Sequence, residues 1–435
     1  MAIIAQQTMF SWEKDIDELG DLERAKLVLE TLPDETFMRI LEKERGKGRD
    51  KYPIRAMWNT HLICMVFNHT GDASMLRELS RNVQLRYICG YRSLCEIPHP
   101  YNYSRFQSTL LKHEQDADAI FEELVACMYK EFPDFGEEGA LDSKNIESFA
   151  SRENKNKTPD GRRDLDAQWG KKRYHGIGKD GKLWEKIVKC FGYKAHLLVE
   201  SNYELPIHYR VTSANASDVI QGYEMMEELD TPQKRYILDK MDYMTADKAY
   251  DSVEFQRMLR EKGITPIIDT RKMWRAETEK ELPGYPNLYY NENGEVFCYS
   301  PIKGTRHCMA NDGYEKSRQC LRKKCPAQAY GIHCNEQEHC PVQSVVRIPL
   351  KTDERIFTEV DRSSYKWKNL YNARTSVERV NSRLDMQLGF EKHTIRRLQK
   401  MKLRLCCALI VMNALALGRY RQSREDLMRS LTKSI

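Results

Sequence analysis

The sequence predicts an α/β protein in which a mixed sheet with flanking helices follows an all-helical N-terminal domain and is interrupted by a cysteine-rich insertion. Three observations lead to this prediction. Apolar residues recur every three to four positions up to about residue 130. From residue 136, short apolar runs bounded by turn residues alternate with amphipathic segments. Six of the 13 cysteines then fall within residues 298–340.

The predicted N-terminal domain covers residues 1–135. "LERAKLVLETLPDETFMRIL" has helical spacing, and the basic run "KERGKGRDK" at 43–51 predicts a linker. Residues 53–130 hold further helices, and "ASMLRELSRNVQLRYICGY" predicts two short ones with a turn near Asn82. Such a domain fits DNA binding through a groove. A scaffold or dimerisation domain fits the same pattern.

The first part of the predicted sheet domain covers residues 136–270. Strands are predicted at "EGALD", ending on Asp142, at "GYKAHLLVESN" and "LPIHYRVTSAN" around a turn at Ser201–Glu204, and at "YMTADKAY" and "ITPIID". Helices are predicted at "SDVIQGYEMMEEL" and "SVEFQRMLREKG". Residues 271–365 are the predicted insertion, and residues 366–435 return to helix and complete the domain.

Charge is distributed unevenly along the chain, whose net charge is +6. Residues 151–190 carry 12 Lys and Arg against six Asp and Glu, and residues 371–435 carry 14 against five. This clustering favours a polyanionic partner, with nucleic acid as the first candidate. Solvated basic faces are the alternative explanation.

The chain is predicted to be cytoplasmic and to have no membrane partner. Its first residues lack the basic start and long apolar run of a secretory signal. The longest apolar run, "LCCALIVMNALALG" at 405–418, is too short to span a bilayer and predicts a buried helix. Thirteen cysteines without a signal indicate a reducing compartment.

Asp142 and Asp247 each end a predicted strand. If the two strands are neighbours, their carboxyl ends meet at one edge of the sheet. Close carboxylates repel each other unless a cation lies between them, and Mg²⁺ prefers such oxygen ligands. Two ions about 3.5–4 Å apart would suit phosphodiester chemistry.

The segment "YNARTSVERVNSRLD" offers a third carboxylate, Glu378. The segment is predicted to be one helix, in which the spacing puts Tyr371, Arg374, Glu378 and Asp385 on one face. A catalytic stripe is one interpretation of this polar face. A merely solvated face is the other.

Four segments, taken in order, resemble the DDE transposases of bacterial insertion sequences. They are "LDSKNIESF", "GYKAHLLVESNYELPIHYRVTSANASDV", "TADKAYDS" and "YNARTSVERVNSRL". The resemblance implies a ribonuclease-H-like fold. It also implies that Asp142, Asp247 and Glu378 form a triad that binds two Mg²⁺ or Mn²⁺ ions.

The family signature Y-x2-R-x3-E-x6-K is matched at Tyr371, Arg374 and Glu378. At its last position this chain has Asp385 instead of lysine. In the family, that lysine is expected to touch DNA phosphate. Arg383 or Lys392 could substitute for it.

The resemblance implies a transposase that cleaves the ends of its element and joins the freed 3′-OH to target DNA. The expected partners are the transposon ends, target DNA and a second copy of the chain in a synaptic homodimer, in a prokaryotic cytoplasm in association with the nucleoid. Three alternatives remain open: an inactive, host-adopted DNA-binding protein, a nuclease of the same fold without strand transfer, and a zinc-binding interaction protein with a decayed core.

DNA contacts are predicted first in the basic segment between the first two predicted strands, where aromatic residues stand among cations. A surface hairpin with one packed tryptophan is the alternative. The candidates here are Arg162, Arg163, Trp169, Lys171, Lys172 and Arg173. The candidates elsewhere are Lys248, Tyr371, Arg374 and Arg383.

The cysteine-rich insertion suggests a structural zinc site. Its predicted ligands are Cys320, Cys325, Cys334 and Cys340. Further cysteines and histidines nearby could join in: Cys298, Cys308, His307, His333 and His339. The spacing is looser than paired C-x2-C motifs, and free thiols are the alternative.

Overall fold

The computed structural model describes residues 19–46, 51–69, 71–150, 164–177, 183–274, 278–299, 305–334, 340, 342 and 344–433. The chain divides into two compact units. The first unit comprises Met1–Phe135, Ser143–Ala216 and Val377–Ile435. The second unit comprises Gly136–Asp142 and Ser217–Ser376.

The first unit begins with helices. They are α1 (Leu22–Thr31), α2 (Glu35–Arg45), α3 (Ile54–Val66), α4 (Asp72–Arg81), α5 (Val83–Cys89), α6 (Pro100–Lys112) and α7 (Glu114–Glu131). Asn82 separates α4 from α5, and its side chain accepts the N–H of Leu85. The predicted turn near Asn82 is therefore confirmed. Pro100 starts α6 at a position where its missing N–H costs no hydrogen bond.

Helix α14 (Leu398–Arg421) runs through the interior of the first unit. Every residue from Leu405 to Arg419 is buried. The helix packs against α1, α3 and α7. Its length and apolar character would suffice to cross a membrane, yet 89% of its apolar stretch is buried inside the protein. The run at 405–418 is therefore a core helix, as predicted.

The strands of the first unit are antiparallel around β3. The first four strands of the chain are β1 (Glu138–Glu147), β2 (Gln168–Ile177), β3 (Leu183–Glu200) and β4 (Leu205–Ser213). Strand β3 pairs antiparallel with both β2 and β4 and lies beside β1. Gly192 permits this approach, because a Cβ there would lie 2.2 Å from the carbonyl oxygen of Ile146. The predicted turn at Ser201–Glu204 joins β3 to β4.

Parallel strands lie at the centre of the second unit. The first half of β1 pairs with β5 (Tyr243–Ala246), and β5 pairs with β6 (Thr265–Ile268). The helices of this part are α8 (Asp218–Leu229), α9 (Arg235–Asp239) and α10 (Val253–Glu261). The strands that lead to Asp142 and Asp247 are therefore neighbours, which is the condition for the two carboxylates to meet. The predicted strand end at Asp142 is wrong, because β1 continues to Glu147.

The cysteine-rich segment folds as two small antiparallel sheets. One contains β7 (Lys280–Leu282), β8 (Tyr285–Tyr290), β9 (Val296–Tyr299) and β10 (Arg306–Cys308). The other contains β11 (Ala310–Glu315), β12 (Cys320–Lys324) and β13 (Val345–Pro349), and the short helix α11 (Pro326–Tyr330) follows β12. One hydrophobic cluster includes Leu288 and Val296 from the first sheet and Leu321 and Val346 from the second. The segment therefore has an apolar core of its own.

Two helices, α12 (Tyr365–Asn372) and α13 (Thr375–Met386), replace the single helix predicted at 371–385. At their junction the N–H of Arg374 donates to the carbonyl oxygen of Tyr371, across three residues instead of the four of an α-helix. Glu378 and Asp385 lie beyond this break, on α13. The predicted single helical face is therefore wrong.

Candidate active site

Two carboxylates follow paired positions of the parallel strands. Leu141 of β1 is the register partner of Ala246 of β5, and Asp142 and Asp247 are the next residues along each strand. Neighbouring strands lie about 4.8 Å apart, so the two aspartates start from adjacent points at the edge where the pairing of β1 with β5 ends. Both are half-buried. Their mutual repulsion favours a cation between them.

A third carboxylate, which was not predicted, lies at this edge. Ile268 of β6 is the register partner of Ala246, and Asp269 follows it directly. The Oδ1 atom of Asp269 accepts the N–H of Thr270 at 2.9 Å. The signal was present in "ITPIID", a predicted strand that ends on aspartate in the same way as "MTAD".

The turn after β5 fixes the carboxylate of Asp247. Its Oδ1 atom accepts the N–H of Ala249 at 2.7 Å, at the start of a 3₁₀ turn over Lys248–Tyr250. Asp251, four residues on, is buried and accepts the N–H of Arg271 at 2.8 Å and the Nε–H of Arg355 at 2.9 Å. Asp251 is therefore structural, whereas Asp247 lies at the edge shared with Asp142. Lys248 is exposed.

Tyr371 lies in an aromatic stack beside these carboxylates. Its ring is 4.7 Å from that of Trp367, at an interplanar angle of 11°, and the guanidinium of Arg374 is 5.7 Å from its centre. Burial, the charge of Asp269 and, more weakly, the charge of Asp247 raise the pKa of Tyr371 to about 12, against the effect of Arg374. The phenol is therefore protonated at neutral pH and can donate a hydrogen bond.

Glu378 is exposed in the first turn of α13. In the last turn of that helix, the carboxylate of Asp385 forms an ion pair with Lys144 of β1. The two side chains are 21% and 14% exposed, so the pair is largely shielded from water. Lys392, one proposed substitute for the signature lysine, is exposed.

Arg383, the other proposed substitute, is only 8% exposed. Its Nη2 atom donates to the Oε2 atom of Glu204 at 3.0 Å and to the backbone oxygen of Glu204 at 2.8 Å. Arg379 and Arg429 also pair with this glutamate, at 2.7 Å and 3.3 Å. Burial lowers the pKa of Arg383 to about 10. These contacts indicate a structural arginine and argue against the predicted phosphate contact.

The basic segment contributes a β-hairpin, β2–β3, which is the arrangement of the alternative interpretation. Trp169 is 43% exposed and packs on Phe191 at 5.3 Å. Lys171 is exposed and stands opposite Lys189, a like-charge pairing that is unfavourable without an anion nearby. Lys172 and Arg173 belong to β2, but their side chains lie outside the described part of the structure. Arg162 and Arg163 lie outside the described residues altogether.

The predicted zinc site is not supported. Within the described ranges, which include Cys320, Cys325, Cys334 and Cys340, no three His, Cys, Asp or Glu side chains are grouped so as to hold a metal ion. Cys320 is buried on β12, and its Sγ–H donates to the backbone oxygen of Arg318. Cys325 and Cys340 pack instead against the apolar cluster of the insertion. His339 lies outside the described residues.

The carboxylates at the sheet edge also do not form a complete set of metal ligands among the described residues. Asp142 and Asp247 are placed together by strand register, but the described residues show no complete group of three ligands. Two half-buried carboxylates at one sheet edge form an oxygen donor set that fits a hard divalent cation such as Mg²⁺. The residues present therefore fit the implied metal. They would supply part of its coordination sphere.

Comparison with known proteins gives two family matches. Residues 134–414 match the family described as "Transposase DDE domain", and residues 12–109 match the one described as "Transposase domain (DUF772)". No curated protein matches the chain. Among solved structures, the cryo-EM structure of the piggyBac transposase synaptic complex with hairpin DNA is similar over 95% of this chain and 79% of that one, with 11% identity and a TM-score of 0.37.

Proposed function

The chain belongs to the transposase DDE domain family, and from this premise we propose that it binds the ends of an insertion sequence, cleaves them and joins the freed 3′-OH to target DNA. The observation that carries the proposal is the register that puts Asp142 beside Asp247. The parallel β1–β5–β6 arrangement and the antiparallel β2–β3–β4 arrangement support a ribonuclease-H-like core.

Asp142, Asp247 and Glu378 would hold the divalent cations, Mg²⁺ or Mn²⁺. When bound, such cations lower the pKa of a coordinated water and stabilise charge on phosphate oxygens. Asp142 and Asp247 are held ready for this by the strands, and the N–H of Ala249 orients the second of them. The protonated hydroxyl of Tyr371 supplies a hydrogen-bond donor for phosphate beside this edge.

Lys144 would provide the cation that the family signature places seven residues after its glutamate. It follows Asp142 by two residues, so both side chains leave the same face of β1. Its ion pair with Asp385 occupies the signature position itself. An ammonium has three donors, so Asp385 can orient Lys144 while the other donors remain for phosphate.

The hairpin β2–β3 would bind the element end. Its exposed Trp169 offers a stacking surface, and its lysines offer phosphate contacts. Lys248 and Arg374 would bind phosphate near the carboxylates. Two copies of the chain would act together on two ends, in association with the nucleoid.

The test uses purified protein and a labelled duplex that carries the element end, with Mg²⁺ or Mn²⁺. Asp247→Asn and Glu378→Gln should each abolish nicking and joining while end binding remains. Asp242→Asn is the matched control, because this exposed aspartate stands just before β5, at the opposite end of the same strand. Cleavage by both carboxylate variants would refute the triad. Binding without cleavage by the unmodified protein would favour the inactive DNA-binding alternative, and cleavage without joining would favour a nuclease.

A further inference from the structure

A cavity of about 600 Å³ lies within the first unit. Its walls come from α3, α6, the start of α14 and the chain just before it. Four cationic side chains line it: Arg396, Arg397, Lys400 and Arg404. Among the described lining residues Asp72 is the one acid, and it accepts a hydrogen bond from Gln107 at 2.9 Å. The excess of positive charge selects an anion.

Buried polar atoms in the cavity wall are available to a ligand. Arg404 donates from Nη2 to the backbone oxygen of Leu388 at 3.1 Å, but its Nε atom is buried without a hydrogen-bond partner among the described residues. The Nε2 atom of His61 is in the same situation. Buried polar groups are normally paired. A bound polar ligand would supply the missing partners.

Two carboxylates, those of Asp164 and Asp166, cap the start of α14. This helix has 24 residues, and its N-terminus carries partial positive charge. Arg397, just before it, has φ +77, a region that side-chain-bearing residues rarely adopt. The strained backbone is held by a hydrogen bond from the N–H of Arg397 to Asp164 at 3.0 Å, and the next N–H, of Leu398, donates to Asp166 at 3.0 Å.

An aromatic surface adjoins the cationic end. Phe149 lines the cavity and is 51% exposed. The guanidinium of Arg396 lies 5.0 Å from its ring centre. The N–H of Phe149 donates to the backbone oxygen of Ile395 at 3.2 Å, which ties the two segments together. Aromatic rings and arginine planes are the surfaces on which nucleobases stack in single strands.

We propose that this cavity binds one nucleotide of a DNA strand, with its phosphate at Arg397, Lys400 and Arg404 and its base against Phe149 and Arg396. The volume is within the range of small-molecule sites. The choice of a DNA strand over a free nucleotide as the source rests on the proposed function. The described lining residues of the cavity do not include Asp142, Asp247 or Glu378.

Binding is measured with the full chain in EDTA, so that the carboxylate site does not contribute. The probes are a single-stranded five-nucleotide oligodeoxyadenylate, deoxyadenosine monophosphate and inorganic phosphate. Lys400→Ala and Phe149→Leu should each weaken oligonucleotide binding at least about fivefold. Lys400→Ala should also reduce, by about 0.7, the steepness with which the logarithm of the binding constant falls with the logarithm of the salt concentration. Lys402→Ala is the matched control, since Lys402 lies on the same helix and pairs with Glu114 at 3.9 Å. The affinity of the Lys402→Ala protein for the oligonucleotide should stay within about twofold of that of the unmodified protein.

Equal losses for Lys400→Ala and Lys402→Ala would overturn the proposal, because they would indicate general charge attraction. Phosphate binding as tight as oligonucleotide binding would overturn the stacking role of Phe149. Mononucleotide binding as tight as oligonucleotide binding would overturn the DNA-strand source. Thermal unfolding confirms that each variant is folded. A protein that cleaves its element ends but fails these tests would refute this inference alone.

Discussion

Replacing Lys144 with methionine removes the cation that we assign to phosphate contact and keeps most of the side-chain volume. It also leaves Asp385 without its partner. Exposed ion pairs contribute about 0–1 kcal/mol, whereas breaking a fully buried pair costs about 3–5 kcal/mol. Because Lys144 and Asp385 are 14% and 21% exposed, we expect a loss of about 1–3 kcal/mol in the free energy of unfolding.

The expected effect on activity is separate and larger. Removing one preorganised charge-stabilising donor slows an enzymatic step by about 100-fold or more. We therefore expect Lys144→Met to slow cleavage of the element end by about 100-fold at a temperature where the protein remains folded. Asp385→Asn retains the cation, so its cleavage rate should change little.

Two further variants make the assay decisive. Lys144→Met combined with Asp385→Lys restores a lysine at the signature position and should recover part of the cleavage rate. Lys262→Met is the control. Lys262 also forms a partly shielded ion pair, with Asp230, and the two side chains are 10% and 32% exposed. Lys262 precedes β6 and therefore lies at the end of the parallel strands opposite to the carboxylates. If Lys144→Met cleaves at the unmodified rate, or if Lys262→Met is equally slow, the assignment of Lys144 is refuted.

Three further predictions concern stability. Asp164→Asn should lower the free energy of unfolding by about 2–4 kcal/mol at pH 7, because the Asp164 carboxylate accepts hydrogen bonds from Ser148, Tyr193 and Arg397. Burial opposes ionisation, but these bonds hold the pKa of Asp164 below its ordinary value. The contribution is therefore full above about pH 4 and is lost as pH falls through the folded pKa; urea titrations at several pH values measure it. Gly192→Ala should prevent normal pairing beside β1, since its Cβ would lie 2.2 Å from a backbone oxygen; denaturant midpoints measure the loss. Lys323→Met should cost about 3–5 kcal/mol, because it leaves Asp361 charged and buried.

Each of these has a contrary outcome. A stability difference between unmodified protein and Asp164→Asn that stays constant from pH 7 to pH 3 would contradict the assigned role of the carboxylate. Gly192→Ala with an unchanged midpoint would show that β3 can move away from β1. Asp361→Asn combined with Lys323→Met should recover part of the stability lost in the single variant, and no recovery would indicate that the lysine contributes through packing.

The parallel strands were predictable because their signals are local. Short apolar runs end on aspartate at Asp142, Asp247 and Asp269, and the first two were recognised. The β2 strand was missed because "QWGKKRYHGI" has no alternation of apolar and polar residues. Its strand conformation depends on pairing with β3.

The roles of several candidate site residues could not be predicted, because they depend on ion pairs between residues that are far apart in sequence. Arg383 looks like a phosphate ligand in sequence, but Glu204 binds it from the turn between β3 and β4. Asp385 looks like a defect in the signature, but Lys144 meets it from a strand 241 residues earlier. Neither partner can be identified from spacing. The break between α12 and α13 was equally invisible, because Ala373 and Arg374 carry no turn signal.

The burial of α14 has a consequence for the order in which the protein is made. The helices α1, α3 and α7 are synthesised first, yet the helix they pack against begins only at Leu398, long after α7 ends at Glu131. At Gly418 the contact with α1 is so close that a Cβ would lie 2.7 Å from Leu27. Until residues 398–421 arrive, the early helices therefore expose their apolar sides and must be kept from aggregating. A message that stops short of this helix would yield a chain without its core, so an intact reading frame is itself a condition for an active protein.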